Sequence, residues 1–169
     1  MRAASPGCVL LPLIESARGV LAAELIAASP GVQRLVFGTI DYALDMDLQG
    51  DLAGTVGLDA AASRLALASR AADIAAPVAG VTVTIDDEMQ LRADLMRARA
   101  HGFAAKLCIH PKQIAAVHAL LAPSSDELAW AERVLGAADS AAGAAVQLDG
   151  RMIDRPVIER ARRIVQRAY

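Results

Sequence analysis

The sequence predicts an α/β fold in which four strand–helix units are followed by a helical C-terminal segment. Apolar runs such as CVLLPLI recur along the first two thirds of the chain, and each is followed by a segment with helical spacing of its apolar residues. The runs are continuously apolar, which is typical of parallel strands covered by helices. The chain is 55% hydrophobic but only 3% aromatic, and alanine supplies much of the hydrophobic content. Alanine is the best helix former, so this composition favours closely packed helices.

The predicted strands are the apolar runs, each bounded by a turn signal or a polar residue. Pro30 and Gly31 mark the turn before the second of them. The strands are CVLLPLIES at 8–16, VQRLVFGTID at 32–41, PVAGVTVTID at 77–86 and AAKLCIHP at 104–111.

Capping residues delimit the predicted helices. Asp59 is placed to cap one helix, Gly102 to end the next, and Ser124 or Ser125 with Glu127 to form a capping box. The helices cover 17–29, 59–75, 86–102, 112–122 and 124–142, and a last one begins at Arg155. Residues 43–57 are predicted as a loop or helical insert, and 143–154 as irregular or hairpin-like.

Four strand–helix units are half of a TIM-type (β/α)₈ barrel, which typically needs ~250 residues. We therefore predict a partial barrel, its last four units, over 1–122 and a helical tail with a flap-like segment over 123–169. A half-barrel has two unpaired strand edges, which must be capped, completed or paired with another chain. This favours a chain that is a fragment of a longer protein or that pairs with a partner.

Charge and composition exclude several partners. A net charge of −2 with few aromatic residues gives no footprint for nucleic acid. The longest apolar run ends at Glu15, too short for a membrane span. Cys8 and Cys108 lie in apolar runs and indicate reduced thiols of a cytoplasmic protein. No GxGxxG or Walker-type loop is present in the sequence.

Two acids close the first two predicted strands. Glu15 ends the first strand, and Asp41 ends the second 26 residues later, the length of one β/α repeat. Neighbouring parallel strands lie about 5 Å apart, so acids at matching depths converge. Two carboxylates of this kind suit Mg²⁺ completed by water and substrate oxygens. Helix capping is the alternative for each acid alone, and the pair favours the metal.

Four segments carry a family resemblance: LPLIESARGVLAAELIAA, RLVFGTIDYALDM, FAAKLCIHPKQI and DGRMIDRPVIERA. In this order and spacing they resemble the aldolase/citrate lyase family, with its citrate lyase beta-subunit-like members most similar. The resemblance covers the second half of the family's barrel and its C-terminal segment. It implies a Mg²⁺-dependent carbon–carbon lyase that acts on a 3-hydroxy-acyl-CoA such as malyl-CoA or citramalyl-CoA, or on a citryl thioester, with Glu15 and Asp41 as metal ligands.

Asp154 matches a position of the family's C-terminal segment. The resemblance implies that it acts as a general acid or base in the site of a neighbouring subunit, in an assembly that is often a homotrimer. Helix capping is the alternative from the residues, because Asp154 precedes Arg155 and Pro156 at a predicted helix start.

Two departures from the family pattern leave other functions open. Ala79 occupies the place of an acid that family members usually carry before the glycine, and the first half of the barrel, with its substrate-binding arginine, is not in the chain. The alternatives are a truncated, non-catalytic remnant or subunit of such a lyase, and a Mg²⁺-dependent aldolase on free keto acids. Lys106 and His110, in KLCIHPKQ, are interpreted as structural, and His101 as a surface or groove residue.

Overall fold

The computed structural model describes residues 8–50, 56–140 and 146–168. The chain forms two compact units, residues 1–118 and residues 119–169.

A four-stranded parallel sheet lies at the centre of the first unit. Its strands are β1 (Leu13–Ile14), β2 (Val36–Phe37), β3 (Val78–Ala79) and β4 (Ala105–Lys106), in the order β1-β2-β3-β4. The sequential order of parallel neighbours is that of consecutive β/α units. The four predicted strand–helix units are therefore confirmed.

The paired strands are shorter than the predicted apolar runs. After β3 the backbone leaves the sheet, and the side-chain amide of Gln113 donates to the Thr82 carbonyl at 2.9 Å. Side chains thus take over hydrogen bonds that a longer strand would give to its neighbours. Val83 and Ile85, predicted as strand, are exposed here.

Within the described residues, six helices begin in the first unit. They are α1 (Ala17–Leu21), α2 (Ala23–Ala27), α3 (Thr39–Asp45), α4 (Val56–Ala71), α5 (Glu88–Ala100) and α6 (Lys112–Leu121). Ser16 caps α1 by accepting from the Gly19 N–H at 3.2 Å, and Asp87 caps α5 by accepting from the Gln90 N–H at 2.9 Å. The predicted helix 17–29 is two helices that meet at Ala22.

One face of the sheet forms the core with the helices. Ile14, Phe37 and Ala79 lie side by side on this face and pack in one cluster with Leu65 of α4 and with Phe103. Leu65 is fully buried, so this cluster is the main hydrophobic core of the first unit.

The other face of the first strand is open. Leu11 is 53% exposed and Leu13 is 51% exposed, whereas Ile14 is only 2% exposed. The expectation that the apolar strands are covered therefore fails on this side of the first strand, because no described element covers Leu11 and Leu13.

The second unit is a helix pair with a hairpin between them. It contains α7 (Ser125–Ser140), β5 (Val146–Leu148), β6 (Arg151–Ile153) and α8 (Arg155–Gln166), with β5 antiparallel to β6. Its core is Ala131, Val134, Ile153, Ala161 and Ile164. The predicted capping box is confirmed: Ser124 Oγ accepts from the Glu127 N–H at 3.1 Å, and Glu127 Oε2 accepts from the Ser124 N–H at 2.9 Å.

No helix within the described residues is both long enough and apolar enough to span a membrane.

Candidate active site

Glu15 leaves the sheet directly after β1, and its side chain lies against the end of β2. A Cβ placed on Gly38 would be 2.7 Å from Glu15 Cβ and 3.1 Å from Glu15 Oε2. Only glycine accommodates such a close approach without a shift of the backbone. Gly38 is therefore the residue that allows the Glu15 carboxylate to lie at the carboxyl end of β2.

Asp41 lies on the helix that follows β2. The sequence placed it at the end of the strand, but β2 ends at Phe37 and α3 begins at Thr39, so Asp41 is in the first turn of α3. A carboxylate there is favoured by the positive end of the helix dipole. Glu15 thus contacts Gly38, which lies three positions before Asp41. Glu15 and Asp41 are both exposed residues.

Asp45 connects the two segments that carry these acids. Its Oδ2 accepts from the Ala17 N–H at 2.7 Å, which joins the last turn of α3 to the first turn of α1. Asp41 and Asp45 are four residues apart and therefore share one face of α3. The sequence analysis placed Asp45 in a loop or helical insert and missed this contact. If a helix had been predicted there, the four-residue spacing of Asp41 and Asp45 would have placed them on one face of it.

The donor set at this edge fits a hard divalent cation that keeps some of its water. Among the described residues, no group of three or more His, Cys, Asp or Glu side chains is arranged to hold a metal ion. Mg²⁺ is commonly bound through one or two carboxylates, with water and substrate oxygens in the other positions. Glu15 and Asp41 match that requirement.

A cavity of about 460 Å³ opens between the sheet and helices α4 and α5. Thr39 and Ile40 line it, whereas Glu15 and Asp41 are not among its lining residues. The cavity is therefore distinct from the pair of acids, although it begins within two residues of Asp41.

Lys106, the last residue of β4, lines this cavity. Its Nζ donates to the Gly80 carbonyl at 2.7 Å, which agrees with the interpretation of Lys106 as structural. Burial lowers the pKa of the Lys106 ammonium, and the negative charge of Asp94 partly opposes that shift.

Helices α4 and α5 are joined by an ionic cluster centred on Asp59. Arg97 donates two hydrogen bonds to its carboxylate, at 2.8 and 2.7 Å, and His101 Nε2 lies 2.8 Å from Oδ1. His101 Nδ1 lies 3.1 Å from Ser63 Oγ. His101 also lines the cavity, in agreement with its interpretation as a surface or groove residue, and its ring takes part in a helix–helix contact that periodicity could not show.

This cluster predicts an acid-dependent part of stability. The hydrogen bonds from Arg97, and secondarily from His101, lower the pKa of the Asp59 carboxyl. The pKa of Asp59 is lower in the folded chain than in the unfolded chain, where it is about 3.9, so ionised Asp59 stabilises the fold above that pH. This contribution to stability is lost as the pH falls through the folded-state pKa. Asp59→Asn is expected to lower the urea midpoint at neutral pH, with the deficit shrinking in acid. Asp73→Asn is the control, since Asp73 is 93% exposed. A deficit that is constant across pH would contradict this prediction.

Asp154 caps the last helix. Its Oδ1 accepts from the Val157 N–H at 3.1 Å, and Pro156 occupies the first turn of α8. The capping alternative is confirmed, and the residue is exposed. A catalytic role is neither required nor prevented by this hydrogen bond.

Comparison with known proteins identifies the family. The chain matches the HpcH/HpaI aldolase/citrate lyase family over residues 1–111 and the C–C bond lyases of the TIM-barrel fold over residues 62–169. A citrate lyase subunit beta-like protein of Deinococcus radiodurans is 36% identical over 161 residues, covering 92% of this chain and 55% of that protein. A (3S)-malyl-CoA thioesterase of Cereibacter sphaeroides is 32% identical over 167 residues, covering 96% of this chain and 58% of that protein.

A solved structure shows the same fold. It is the protein CitE of Mycobacterium tuberculosis in complex with magnesium, acetoacetate and coenzyme A, which superimposes with a TM-score of 0.82 at 32% identity over 96% of this chain and 62% of that chain. The chain spans a little over half the length of the curated relatives it matches. The predicted resemblance and the α/β fold of a TIM-barrel lyase are both confirmed, and the chain belongs to the HpcH/HpaI aldolase/citrate lyase family.

Proposed function

We propose that this chain is part of a Mg²⁺-dependent carbon–carbon lyase that cleaves a 3-hydroxy-acyl-CoA such as malyl-CoA or citramalyl-CoA, or a citryl thioester. The observation that carries the proposal is the contact of Glu15 with Gly38, which brings one acid to the strand end that leads into Asp41. The relatives support the substrate class, since one is named a malyl-CoA thioesterase and another was crystallised with magnesium and coenzyme A.

In this proposal Glu15 and Asp41 hold the metal, which supplies Lewis-acid polarisation of the keto-acid oxygen when bound. Glu15 is fixed by its contact with Gly38, and Asp41 by its place in α3. Asp45 keeps the first turn of α1 beside the last turn of α3, so it positions the two segments that carry these acids. Positioning of this kind limits the reorganisation that substrate binding requires.

Asp154 is the proposed proton carrier. In the retro-aldol (Claisen-type) cleavage the bond between the α and β carbons of the thioester breaks, the β-hydroxyl passes its proton to solvent and becomes a carbonyl, and the α carbon of the resulting enolate gains a proton. A carboxylic acid near the α carbon can deliver that proton. We propose that Asp154, in the helical tail with a flap-like segment over 123–169, does so in the site of a neighbouring chain of a homotrimer.

Substitutions at Asp154 separate the cap from the proposed catalysis. Asp154→Ser keeps a capping oxygen but removes the carboxylate, whereas Asp154→Ala removes both. We expect Asp154→Ala to lose about 1 kcal/mol of stability and Asp154→Ser to lose little. Both variants are expected to lose lyase turnover by a similar factor, measured at the same Mg²⁺ concentration. Full turnover in the serine variant would leave Asp154 with a capping role alone.

The lyase activity itself is tested by supplying the rest of the barrel. The chain is assayed alone and co-expressed with the N-terminal portion of the Deinococcus relative, with malyl-CoA and citramalyl-CoA as substrates. We expect Mg²⁺-dependent release of glyoxylate or pyruvate in the co-expressed sample. A complex that binds Mg²⁺ but cleaves neither thioester would reject the lyase function.

A non-catalytic partner subunit is the second candidate function. The observation in its favour is the exposed face of Leu11 and Leu13, which a complementary half-barrel would cover. In that case the co-expressed halves associate but remain inert.

A further inference from the structure

The short helix α3, which carries Asp41, depends on packing contacts for its position. It has seven residues, Thr39–Asp45, and its N-cap position is Gly38, which has no side chain to cap it. A helix of this length is not stable by itself, so its place in the fold is set by what its two ends contact. Its last turn is joined to α1 by the hydrogen bond from the Ala17 N–H to Asp45, at 2.7 Å.

The first turn of α3 packs against the end of β3 through Thr39. A Cβ placed on Gly80, the residue that follows β3, would overlap Thr39 Oγ1 and would lie 2.7 Å from Thr39 Cγ2. The Thr39 side chain therefore occupies the space that a side chain at position 80 would need, and glycine is the residue that allows this approach.

A rotation of the Thr39 side chain does not relieve this overlap. Threonine carries two heavy atoms on its Cβ, and both lie beside Gly80. The three staggered rotamers exchange the positions of these two atoms and of the hydrogen, so at least one heavy atom stays beside Gly80 in each of them. The contact is therefore determined by the backbone positions of the two residues and not by the choice of one rotamer.

Gly80 is itself held in place from the neighbouring strand. Lys106, the last residue of β4, donates a hydrogen bond from Nζ to the Gly80 carbonyl at 2.7 Å. Gly80 directly follows Ala79, the last residue of β3, which pairs with Lys106 in the sheet. Thr39 thus packs against a backbone position that both β3 and β4 restrain.

The contact repeats the relation between Glu15 and Gly38. In both cases a side chain that follows one strand lies against the glycine that follows the next strand: Glu15 against Gly38 after β2, and Thr39 against Gly80 after β3. Gly38 and Thr39 are adjacent in the chain, so the two contacts meet at the start of α3. Asp41 follows Thr39 by two residues in the first turn of the same helix.

We propose that Thr39 is a positioning residue for the metal site: by packing against Gly80 it fixes the first turn of α3, and with it Asp41, at the carboxyl ends of the strands. The role of Asp41 as a metal ligand rests on the proposed function, whereas its position does not. Thr39 contributes the shape of its side chain rather than its hydroxyl group, since Oγ1 and Cγ2 both make the contact.

Substitutions of Thr39 test the contact from one side. Thr39→Val keeps two heavy atoms beside Gly80 and removes only the hydroxyl, whereas Thr39→Ala removes both atoms. We expect Thr39→Ala to weaken Mg²⁺ binding by about tenfold and Thr39→Val to retain the wild-type affinity, both measured by calorimetry on the full chain. In the metal-free chain, the amide signal of Asp41 is expected to shift in the alanine variant and to stay near its wild-type position in the valine variant.

Gly80→Ala tests the contact from the other side. The added Cβ overlaps Thr39, so Mg²⁺ binding is expected to weaken by about tenfold. Thr39→Ala in the same chain vacates that space and is expected to restore most of the affinity. The Phe37 carbonyl oxygen, 3.0 Å from the added Cβ, is a remaining contact that a small shift relieves. Gly136→Ala is the control, since an added Cβ there meets no atom within 4 Å.

Three results would overturn the inference: unchanged Mg²⁺ affinity in both Thr39→Ala and Gly80→Ala, equal losses in Thr39→Val and Thr39→Ala, or losses that simply add in the double variant. A wild-type chain that binds no Mg²⁺ would instead reject the proposed function. The Asp41 signal in the metal-free variants would then decide by itself whether Thr39 positions this residue.

Discussion

Replacing Glu15 by glutamine is expected to weaken Mg²⁺ binding by about 100-fold or more, and Asp41→Asn is expected to do the same. The loss of an outer-shell partner already lowers metal affinity about 10- to 100-fold, so loss of a ligand charge should exceed it. Each amide preserves the shape of the side chain it replaces, and Glu15→Gln keeps the contact with Gly38. The change is therefore one of charge and donor strength at a hard cation.

Direct metal binding is the measurement, by calorimetry with Mg²⁺ or by water-proton relaxation with Mn²⁺, so that the result does not depend on turnover. Glu132→Gln is the control, because Glu132 is an exposed acid in α7 of the second unit. Wild-type affinity in both the Glu15 and the Asp41 variants would show that the metal is held elsewhere, and the assignment of these ligands would fail.

Gly38→Ala is expected to have the second largest effect, because it acts on Glu15 without altering any ionisable group. The new Cβ would lie 2.7 Å from Glu15 Cβ, which is not the mobile end of that side chain. The backbone at the end of β1 or β2 must shift to relieve the overlap. We expect a loss of about 1–3 kcal/mol of stability and a fall of about 10- to 100-fold in Mg²⁺ affinity.

Gly136→Ala is the matched control for this substitution. Gly136 lies within α7, where an added Cβ meets no atom within 4 Å. The alanine there is expected to stabilise the chain by about 0.4–1 kcal/mol and to leave Mg²⁺ binding unchanged. Unaltered Mg²⁺ affinity in a folded Gly38→Ala chain would mean that the contact with β2 does not position Glu15.

The elements that the sequence predicted well are those with local causes. The four apolar runs pair in sequential order, and the capping box at Ser124 and Glu127 is formed as its spacing indicated. The cap at Asp154 likewise depends only on residues within three positions. Such features need no knowledge of the neighbouring strand or helix, so one sequence suffices to find them.

The features that the sequence analysis missed depend on contacts between distant segments. The hydrogen bond from Ala17 to Asp45 spans 28 residues, and that from Lys106 to Gly80 spans 26. The need for glycine at position 38 arises from a side chain on another strand, which no local pattern records. The start of α3 at Thr39 was also missed, because the apolar run through Phe37 continues to Ile40 and conceals the change from strand to helix.

The tight turn between β5 and β6 has a kinetic consequence for Asp154. Asp149 and Gly150 both adopt positive φ, 52° and 74°, as the twist of a two-residue hairpin requires, and Arg133 of α7 pairs with Asp149. Asp154 directly follows Ile153, the last residue of β6, and caps α8. Its backbone is therefore held between a hairpin and a helix. In its proposed role as proton donor, a carboxylate held in this way has a high effective concentration at the carbon that it protonates. Loosening the turn is expected to lower that effective concentration and, with it, the proposed lyase turnover.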